Sequence, residues 1–321
     1  MRILMLGDQA SVAIQLSKEL ARQGDDVWIL LPPLQIYRRR LGRDLGEIEV
    51  IWTKDTSLTR VLASCVEFSR KLGIDVLHSH WIRSFGLVAS TTSILVDAVH
   101  VVHLHGTEIR DARNDFISEL RTRLGAVRSN LFLFSTPDLK ESYFFRCESD
   151  YLPSPIDLSS FRRRSDAEGL REKLASGRDH VVLCPARVDF ERKNQDMLAR
   201  AVSGREFEDT QTVFVSGVET RQMADLKRLV RELGIDDRVS FITGVPHESM
   251  PLYYSSADAV ALSFKKGVYG CAILESLACE TPVVSHFDHL RYGRYVRKRP
   301  PLIEASSVSE ISASSRILFH D

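Results

Sequence analysis

The feature of this chain that most constrains its fold is the alternation of short apolar runs with longer amphipathic segments. RILML follows Met1, the amphipathic stretch VAIQLSKELARQG comes later, and DVWILL is the next apolar run. Neighbouring parallel strands need a crossover connection, which is usually a helix, so this order predicts βαβ units around a parallel sheet. The sequence therefore predicts an α/β fold.

The same alternation starts again after the loop LPSPIDLSSFRRRSDAEG, whose prolines, serines and charges are typical of a connection between domains. At roughly 150 residues per domain, the 321 residues suffice for two. We therefore predict two Rossmann-like domains, residues 1–152 and 153–321, and one large doubly wound sheet is the alternative. The apolar runs of the second series are VVLCPA, TVFVSG, RVSFITG, DAVALS and PVVSH.

Composition argues against several classes of protein. The 43 basic residues balance 43 acidic ones, so the chain is a poor candidate for binding nucleic acid. Its five cysteines contain no CxxC pair, which favours a reducing compartment. The apolar run at the amino terminus is too short for a signal peptide, and no stretch reaches the roughly 20 apolar residues that span a bilayer. We expect a cytoplasmic protein with no nucleic-acid partner.

Candidate site residues follow from the positions of the predicted strands. Ligands of open α/β sheets bind at the carboxyl ends of the strands, so the residues just after each strand matter most. Arg187 and Lys193 share one such connection and suit a diphosphate, because Arg offers a fork of donors and Lys a point charge. The other residues at these positions are Gly7, Asp8, His78, His80, His105, Gly106, Gly217, Gly244 and Glu275.

A second candidate feature is a predicted helix that begins near residues 270–272, GCA, and carries Glu275 about one turn in. The N–H groups of a helix amino end attract phosphate. A carboxylate just beyond can accept hydrogen bonds from the hydroxyls of a ribose, a type of contact known from dinucleotide-binding sheets. Taken singly, Arg187 and Lys193 are also typical of solvated surface charge, and Glu275 is a common helix former.

Two histidines raise the question of a metal. His78 and His80 alternate along a predicted strand and so point to the same side of the sheet. No third ligand accompanies this pair at a recognisable spacing. The sequence therefore favours buried, hydrogen-bonded structural histidines, and we predict no metal and no cofactor.

Two segments of the second half resemble a known family. RVDFERKNQDML resembles the R-x-x-x-x-K segment of retaining glycosyltransferases of the GT-B fold, in glycosyltransferase family 4, or group 1. GVYGCAILESLACETPVVS resembles their E-G-F-G-L-x-x-x-E-A-x-A-x-G-x-P-V-V segment. The resemblance implies two Rossmann-like domains that face each other across a cleft, here with a shortened carboxyl-terminal end. Further segments in the family's order are DVLHSHW, VVHLHG, LPSPIDLSSF and RVSFITGVPHESMPLYYSSADAVALS.

The resemblance also implies an activity. A sugar would pass from a UDP-, GDP- or ADP-sugar to a glycan, lipid or small-molecule acceptor, without a metal and with retention of anomeric configuration. Arg187 and Lys193 would neutralise the donor diphosphate, Glu275 would hold the ribose, and His105 would reach the sugar from the opposing domain. The implied catalytic set is His105, Arg187 and Lys193, and the implied donor-binding set is Val245, Gly267, Gly270, Cys271, Ala272, Ile273 and Glu275.

One position departs from the family's motif. In the family a first glutamate stands eight positions before the second and contacts the donor sugar, whereas this chain has Gly267 there. Either other groups hold the sugar, or the donor differs, or the protein binds nucleotide and transfers slowly or not at all. We favour an active transferase, because the diphosphate and ribose residues remain. The alternative is a non-catalytic nucleotide-sugar-binding protein or a subunit of an active transferase.

Two other enzyme classes share parts of this pattern. A nucleotide-sugar 2-epimerase also uses two Rossmann domains around a diphosphosugar, but the sequence shows no strong sign of its carboxylate set. A nicotinamide dehydrogenase is disfavoured, because no GxGxxG follows the first predicted strand.

Basic clusters and one helix end complete the predictions. Residues 36–43, 161–164 and 291–300 are rich in arginine and could bind anionic lipid headgroups, which would make the inner membrane face a peripheral partner. Arginines solvated on loops and helix faces are the alternative. Glu280 stands where the family usually has glycine, and we expect a left-handed backbone there at a cost of about 1 kcal/mol.

Overall fold

The computed structural model describes residues 1–7, 12–34, 48–106, 115–142, 147–265, 270–296 and 301–319. The chain divides into two compact units, Met1–Pro155 and Ile156–Asp321. Each unit has its own parallel sheet with helices. The fold is therefore α/β with two Rossmann-like domains, and the alternative of one large sheet is wrong.

The first unit contains a parallel sheet of seven described strands in the order β3-β2-β1-β4-β5-β6-β7. These strands are β1 (Arg2–Leu6), β2 (Asp26–Leu31), β3 (Glu49–Trp52), β4 (Val76–His80), β5 (Val99–Leu104), β6 (Leu131–Phe134) and β7 (Glu148–Tyr151). The α-helices described in this unit are α1 (Val12–Arg22), α2 (Leu58–Leu72), α3 (Leu87–Val96), α4 (Phe116–Ala126) and α5 (Pro137–Ser142), and a π-helix, Ile82–Gly86, precedes α3.

Alternate residues of the central strand β1 pack into two separate cores. Leu4 and Leu6 belong to one apolar cluster, and Ile3 and Met5 belong to another. Successive side chains of a strand point to opposite faces, so a strand covered on both faces reads as a continuous apolar run. RILML has this pattern, and all four apolar residues of the strand after Arg2 are buried.

The second unit contains a parallel sheet of six described strands in the order β10-β9-β8-β11-β12-β13. These strands are β8 (His180–Pro185), β9 (Thr210–Ser216), β10 (Val239–Thr243), β11 (Ala259–Leu262), β12 (Val283–Ser285) and β13 (Ile303–Glu304). The α-helices described here are α6 (Glu168–Ala175), α7 (Gln195–Ala201), α8 (Arg221–Glu232), α9 (Met250–Ser255), α10 (Cys271–Ala278), α11 (His289–Tyr292) and α12 (Val308–Phe319). None of the helices in the described ranges is long and apolar enough to cross a membrane.

The end of α10 has the left-handed residue that the sequence predicts. Glu280 has φ +60°, and the N–H of Thr281 donates to the carbonyl of Ser276 at 3.0 Å. This is the hydrogen bond of a Schellman motif, in which the residue after the helix cap is usually glycine. A side chain at this position costs free energy because its Cβ crowds the backbone.

Glycine should therefore be favoured at position 280. We expect Glu280→Gly to unfold with a free energy about 1 kcal/mol higher than Glu280→Ala, since both variants lack the carboxylate and only glycine relieves the left-handed strain. Urea denaturation of the two variants measures the difference. Equal stability would show that the left-handed conformation costs nothing here.

Candidate functional site

A buried glutamine fixes the loop that follows β8. The side chain of Gln195, at the start of α7, is fully buried. Its amide nitrogen donates to the carbonyl of Arg187 at 2.9 Å, and its amide oxygen accepts from the N–H of Asp189 at 3.1 Å. The backbone that carries Arg187 is thus held from both sides by one side chain. Gln195 is not among the residues predicted from the sequence, and its one local signal is its place at the start of the helix after Lys193.

Arg187 and Lys193 lie on this one connection at the carboxyl end of β8. The Arg187 side chain is 56% exposed, and its Nη2 lies 3.6 Å from Oδ2 of Asp189. Arg192 also lies close to this carboxylate, with its Nε at 3.7 Å. Nζ of Lys193 lies 4.1 Å from the ring centroid of Phe264, within the range of a cation–π contact. The connection is therefore cationic, and Asp189 neutralises part of its charge.

The same loop is joined to the segment that leads toward α10. The hydroxyl of Ser263 donates to the carbonyls of Lys193 and Asn194, at 3.0 and 2.7 Å. The N–H of Lys265 donates to the carbonyl of Arg192 at 3.3 Å. The structure therefore brings the predicted diphosphate residues next to the chain segment just before the predicted phosphate-binding helix end.

Gly270 caps α10 with extended backbone, at φ −116° and ψ 166°. The side chain of Ile273 is fully buried in the core of the second unit, and its N–H donates to the carbonyl of Gly270 at 3.1 Å. Cys271 and Ala272 are partly exposed. Among the residues predicted at this helix end, Ile273 therefore packs its side chain in the core, whereas Cys271 and Ala272 lie partly at the surface. Val245 is partly buried and packs against the same core.

Glu275 is a buried carboxylate with two hydrogen-bond partners. It is 6% exposed, and its Oε2 accepts from the hydroxyl of Tyr254 at 2.7 Å. Its Oε1 lies 2.8 Å from Nε2 of His247, whose side chain is 51% exposed. Burial and then the negative charge of Glu275 raise the pKa of Tyr254 well above its ordinary value, so this phenol remains a donor.

An aromatic residue completes the surroundings of this carboxylate. The Phe161 ring lies 5.2 Å from that of His247 and 6.3 Å from that of Tyr254. Phe161 opens the basic cluster 161–164 and is buried, whereas the three arginines after it are exposed. His247 and Tyr254 are not among the site residues predicted from the sequence. The only available signal was the position of His247, shortly after the end of β10.

The first unit has a second cluster, built from histidines at the carboxyl ends of β4 and β5. His78, His80 and His103 are buried, and Nδ1 of His80 lies 2.9 Å from Nε2 of His105. Burial lowers the pKa of His78 to about 3 and that of His103 to about 4. Burial also holds the pKa values of His80 and His105 well below the ordinary range. These rings are therefore neutral at physiological pH.

The backbone just after His80 is unusual. Trp81 has φ +72°, in the left-handed region that non-glycine residues rarely adopt, and its ring lies 6.0 Å from that of His105. The π-helix Ile82–Gly86 follows at once. Strained backbone and π-helical turns occur often at functional sites, so the end of β4 is a second place to seek function.

Several predicted positions lie outside the described residues. These are Asp8, Gly267, the basic cluster 36–43 and residues 297–300 of the third cluster. The structural role of Gly267 therefore stays a prediction from the sequence.

Comparison with known proteins supplies the family context. Residues 166–319 match the family described as glycosyl transferases group 1. The chain is 33% identical over 146 residues to a GDP-mannose-dependent α-(1-6)-phosphatidylinositol monomannoside mannosyltransferase of Mycolicibacterium smegmatis, a match that covers 42% of this chain and 37% of that one. It is 25% identical over 244 residues to the α-monoglucosyldiacylglycerol synthase of Streptococcus pneumoniae, covering 71% of this chain and 55% of the other. The matches thus span about a third to a half of these relatives' lengths.

Solved structures share the fold over the whole chain. HepE of Anabaena in complex with UDP and glucose superposes with a TM-score of 0.78 at 17% identity, covering 100% of this chain and 90% of HepE. Sucrose-phosphate synthase of Thermosynechococcus elongatus gives a TM-score of 0.73 at 18% identity, with the same coverage of both chains. At these identities the likeness shows the fold, and it confirms the predicted GT-B fold with two Rossmann-like domains.

Proposed function

We propose, because residues 166–319 match the family of group 1 glycosyl transferases, that the protein transfers a sugar from a nucleoside-diphosphate sugar to an acceptor, with retention of anomeric configuration. Arg187 and Lys193 hold the donor diphosphate without a metal ion, and Glu275 holds the ribose. The base lies near the backbone of Val245. The remaining proposed donor contacts come from Gly267, Gly270, Cys271, Ala272 and the backbone of Ile273. The contact of His105 with the sugar stays a prediction from the resemblance.

The buried carboxylate of Glu275 is the observation that carries this proposal. Burying an ionised carboxylate is costly unless it is hydrogen-bonded, so a chain retains one where its position matters. The hydroxyl of Tyr254 fixes Oε2, while Oε1 faces the half-exposed ring of His247. A ribose can approach from the His247 side and donate a hydrogen bond from a hydroxyl to the Glu275 carboxylate, which is already oriented. Preorganisation of this kind lowers the cost of binding.

The cationic loop suits a diphosphate for a related reason. The ion pair between Arg187 and Asp189 is long and half-exposed, and such pairs contribute roughly 0–1 kcal/mol. Little free energy is therefore lost when Arg187 turns from Asp189 to a phosphate. Hydrogen bonds in which both partners are charged are shorter and stronger than neutral ones, so the exchange favours the ligand.

The same groups account for catalysis without a divalent cation. Negative charge develops on the diphosphate as the bond between the sugar and its oxygen breaks. Once the donor is bound, Arg187, Lys193 and the N–H groups at the start of α10 stabilise this charge, and electrostatic stabilisation of this kind usually contributes most to catalysis. The acceptor hydroxyl attacks the anomeric carbon from the same face from which the diphosphate leaves, and its proton passes to the departing diphosphate oxygen, so the anomeric configuration is retained.

The acceptor is proposed as a glycan, a lipid or a small molecule. By their names, one relative transfers mannose to phosphatidylinositol monomannoside, and the other synthesises α-monoglucosyldiacylglycerol. Both names refer to lipids, which favours a lipid acceptor. The exposed arginines of cluster 161–164 are described surface groups that could contact anionic headgroups. Peripheral membrane contact is thus part of the proposal for a lipid acceptor.

Donor binding is tested by calorimetry with UDP-, GDP- and ADP-sugars. We expect one of the three to bind, and the Arg187→Ala, Lys193→Ala double variant to lose at least about 100-fold in affinity, because two charge-assisted contacts of roughly 1.5–3 kcal/mol each disappear. The control is Lys227→Ala, Arg228→Ala, which removes one Lys and one Arg from the exposed side of α8. Its affinity should equal that of the wild type.

Two outcomes would contradict parts of this proposal. Equal loss in both double variants would mean that net charge, and not the β8 connection, governs binding. Tight donor binding without transfer to any glycan, lipid or sugar acceptor would favour the non-catalytic alternative raised by Gly267.

A further inference from the structure

Three buried histidines come together on one face of the first sheet. His78 and His80 are two residues apart on β4, and His103 is the register partner of His80 on the neighbouring strand β5. Residues two apart on a strand, and register partners on parallel strands, point to the same face. One nitrogen of each ring can be chosen so that the three nitrogens lie within 4.8 Å of one another. The third ligand that the sequence spacing did not reveal is thus supplied by the next strand.

Most of the nitrogens of this cluster have no hydrogen-bond partner among the described residues. Nε2 of His78, Nε2 of His80 and both ring nitrogens of His103 are buried and unpaired there. The backbone of Leu152 lies close enough to His103 to raise its pKa against the effect of burial, but it makes no hydrogen bond of good geometry with either ring nitrogen. Buried polar atoms are almost always paired, so this concentration of unpaired nitrogens needs an explanation.

His100 shows that the same sheet can pair a buried histidine fully. It lies on β5 with its Nε2 2.9 Å from the hydroxyl of Ser79 and its Nδ1 3.2 Å from that of Ser129. His100 pairs in register with Leu77, so it points to the face opposite the cluster. Burial of histidine in this fold therefore does not by itself leave nitrogens without partners.

We propose that His78, His80 and His103 bind one late first-row transition-metal ion, with Zn²⁺ as the best fit. Neutral imidazole nitrogen is a preferred ligand of zinc, and three histidines with an open fourth position form a known coordination type. The three histidines belong to the first unit, whereas Arg187 and Lys193 belong to the second, and no cation is proposed for the donor diphosphate. It goes beyond the transfer reaction proposed above and does not depend on it.

Binding requires a small rearrangement of the rings. Nitrogens that share a tetrahedral zinc at about 2.0–2.1 Å lie roughly 3.4 Å apart, less than the 4.8 Å limit seen here. The rings of His78 and His80 are parallel, with centroids 5.0 Å apart, and a bound metal must lie in the plane of each ring. At least one ring therefore turns about its Cβ–Cγ bond, a torsion with broad minima.

A metal here would also fix the tautomer of His105. If Nε2 of His80 binds the ion, its Nδ1 carries the proton and donates to Nε2 of His105, 2.9 Å away. Ligand histidines commonly donate their second N–H in this way, which orients the ring. The metal then acts as a positioning element for His105, whose remaining proton lies on Nδ1.

The test is zinc binding by the full chain after removal of metal with a chelator. We expect one zinc ion per chain by competition with a chromophoric chelator, and at least about 100-fold weaker binding by His103→Gln, because even partners outside the coordination shell change affinity 10–100-fold. The control is His100→Gln, an equally buried histidine on the same strand, which should bind zinc like the wild type. No zinc binding by the wild type, or unchanged binding by His103→Gln, overturns the proposal.

A second measurement needs no variant, in case His103→Gln fails to fold. Nitrogen NMR of histidine rings distinguishes metal-bound from unbound nitrogens in the wild type. We expect zinc to move the ring signals of three of the ten histidines to metal-bound positions. Shifts of only one or two rings would indicate adventitious surface binding and would overturn the three-histidine site.

Discussion

Tyr254→Phe is expected to lower the free energy of unfolding by about 1.5–3 kcal/mol, the range for loss of a hydrogen bond to a charged group. The variant keeps the ring but leaves Oε2 of the buried Glu275 without the donor that lies 2.7 Å away. A buried carboxylate that loses a partner must be solvated or protonated, and both cost free energy. Urea denaturation of wild type and variant measures the change, provided that the slope of the transition stays the same.

The neighbouring tyrosine provides the control. Tyr253 is partly buried, and its hydroxyl has no hydrogen-bond partner in the described part of the chain. We expect Tyr253→Phe to change the free energy of unfolding by less than about 0.5 kcal/mol, as is usual for substitutions that break no buried hydrogen bond and leave no cavity. Similar losses in both variants would show that Tyr254 contributes through its environment and not through Glu275.

The same variant links stability to the proposed site. If the Tyr254 hydroxyl orients Glu275 for the ribose, Tyr254→Phe should also weaken donor binding in the calorimetric assay, while Tyr253→Phe should not. If Tyr254→Phe is stable and binds the donor with wild-type affinity, the proposal that Tyr254 orients Glu275 for the ribose is wrong. The proposal that Arg187 and Lys193 hold the diphosphate would not be affected.

Local signals in the sequence were sufficient for the fold. Apolar runs such as RILML and TVFVSG form strands whose side chains are buried on both faces of a sheet. A strand of this kind is recognisable because its consecutive residues are all or nearly all apolar. The left-handed position of Glu280 was also predictable, because the family that this segment resembles usually has glycine there, and glycine after a helix commonly adopts the left-handed conformation. Patterns of this kind need no knowledge of distant contacts.

The partners in the candidate site could not be predicted in the same way. Tyr254 and His247 contact Glu275 only because α9, the 3₁₀ helix His247–Ser249 and α10 pack together, and no periodicity of the sequence encodes that packing. His103 joins His80 through strand register, which sequence alone leaves open. Single candidate residues such as Glu275 and His80 could thus be identified from the sequence, but which side chains surround them depends on tertiary structure.

A glycine in α4 sets the position of the π-helix that follows the histidine cluster. A Cβ placed on Gly125 would lie 2.3 Å from the carbonyl oxygen of Ile82 and 3.0 Å from Cγ1 of its side chain. The nearer atom is backbone and cannot rotate away. The close approach of α4 to Ile82–Gly86 therefore requires glycine at this position.

Gly125→Ala is accordingly expected to destabilise the protein by about 3 kcal/mol, the upper part of the range for overpacking, because either α4 or the π-helix must move. Gly169→Ala is the matched control: Gly169 also lies in a helix, α6, but a Cβ there meets nothing within 4 Å. Alanine has the higher helix propensity, so this control should be neutral or more stable by up to about 1 kcal/mol. Thermal or urea unfolding should therefore show a clear loss of stability for Gly125→Ala and no loss, or a small gain, for Gly169→Ala. Two small effects of the same size would mean that Ile82 yields easily, and that the backbone after His80 and Trp81 is less constrained than its left-handed turn indicates.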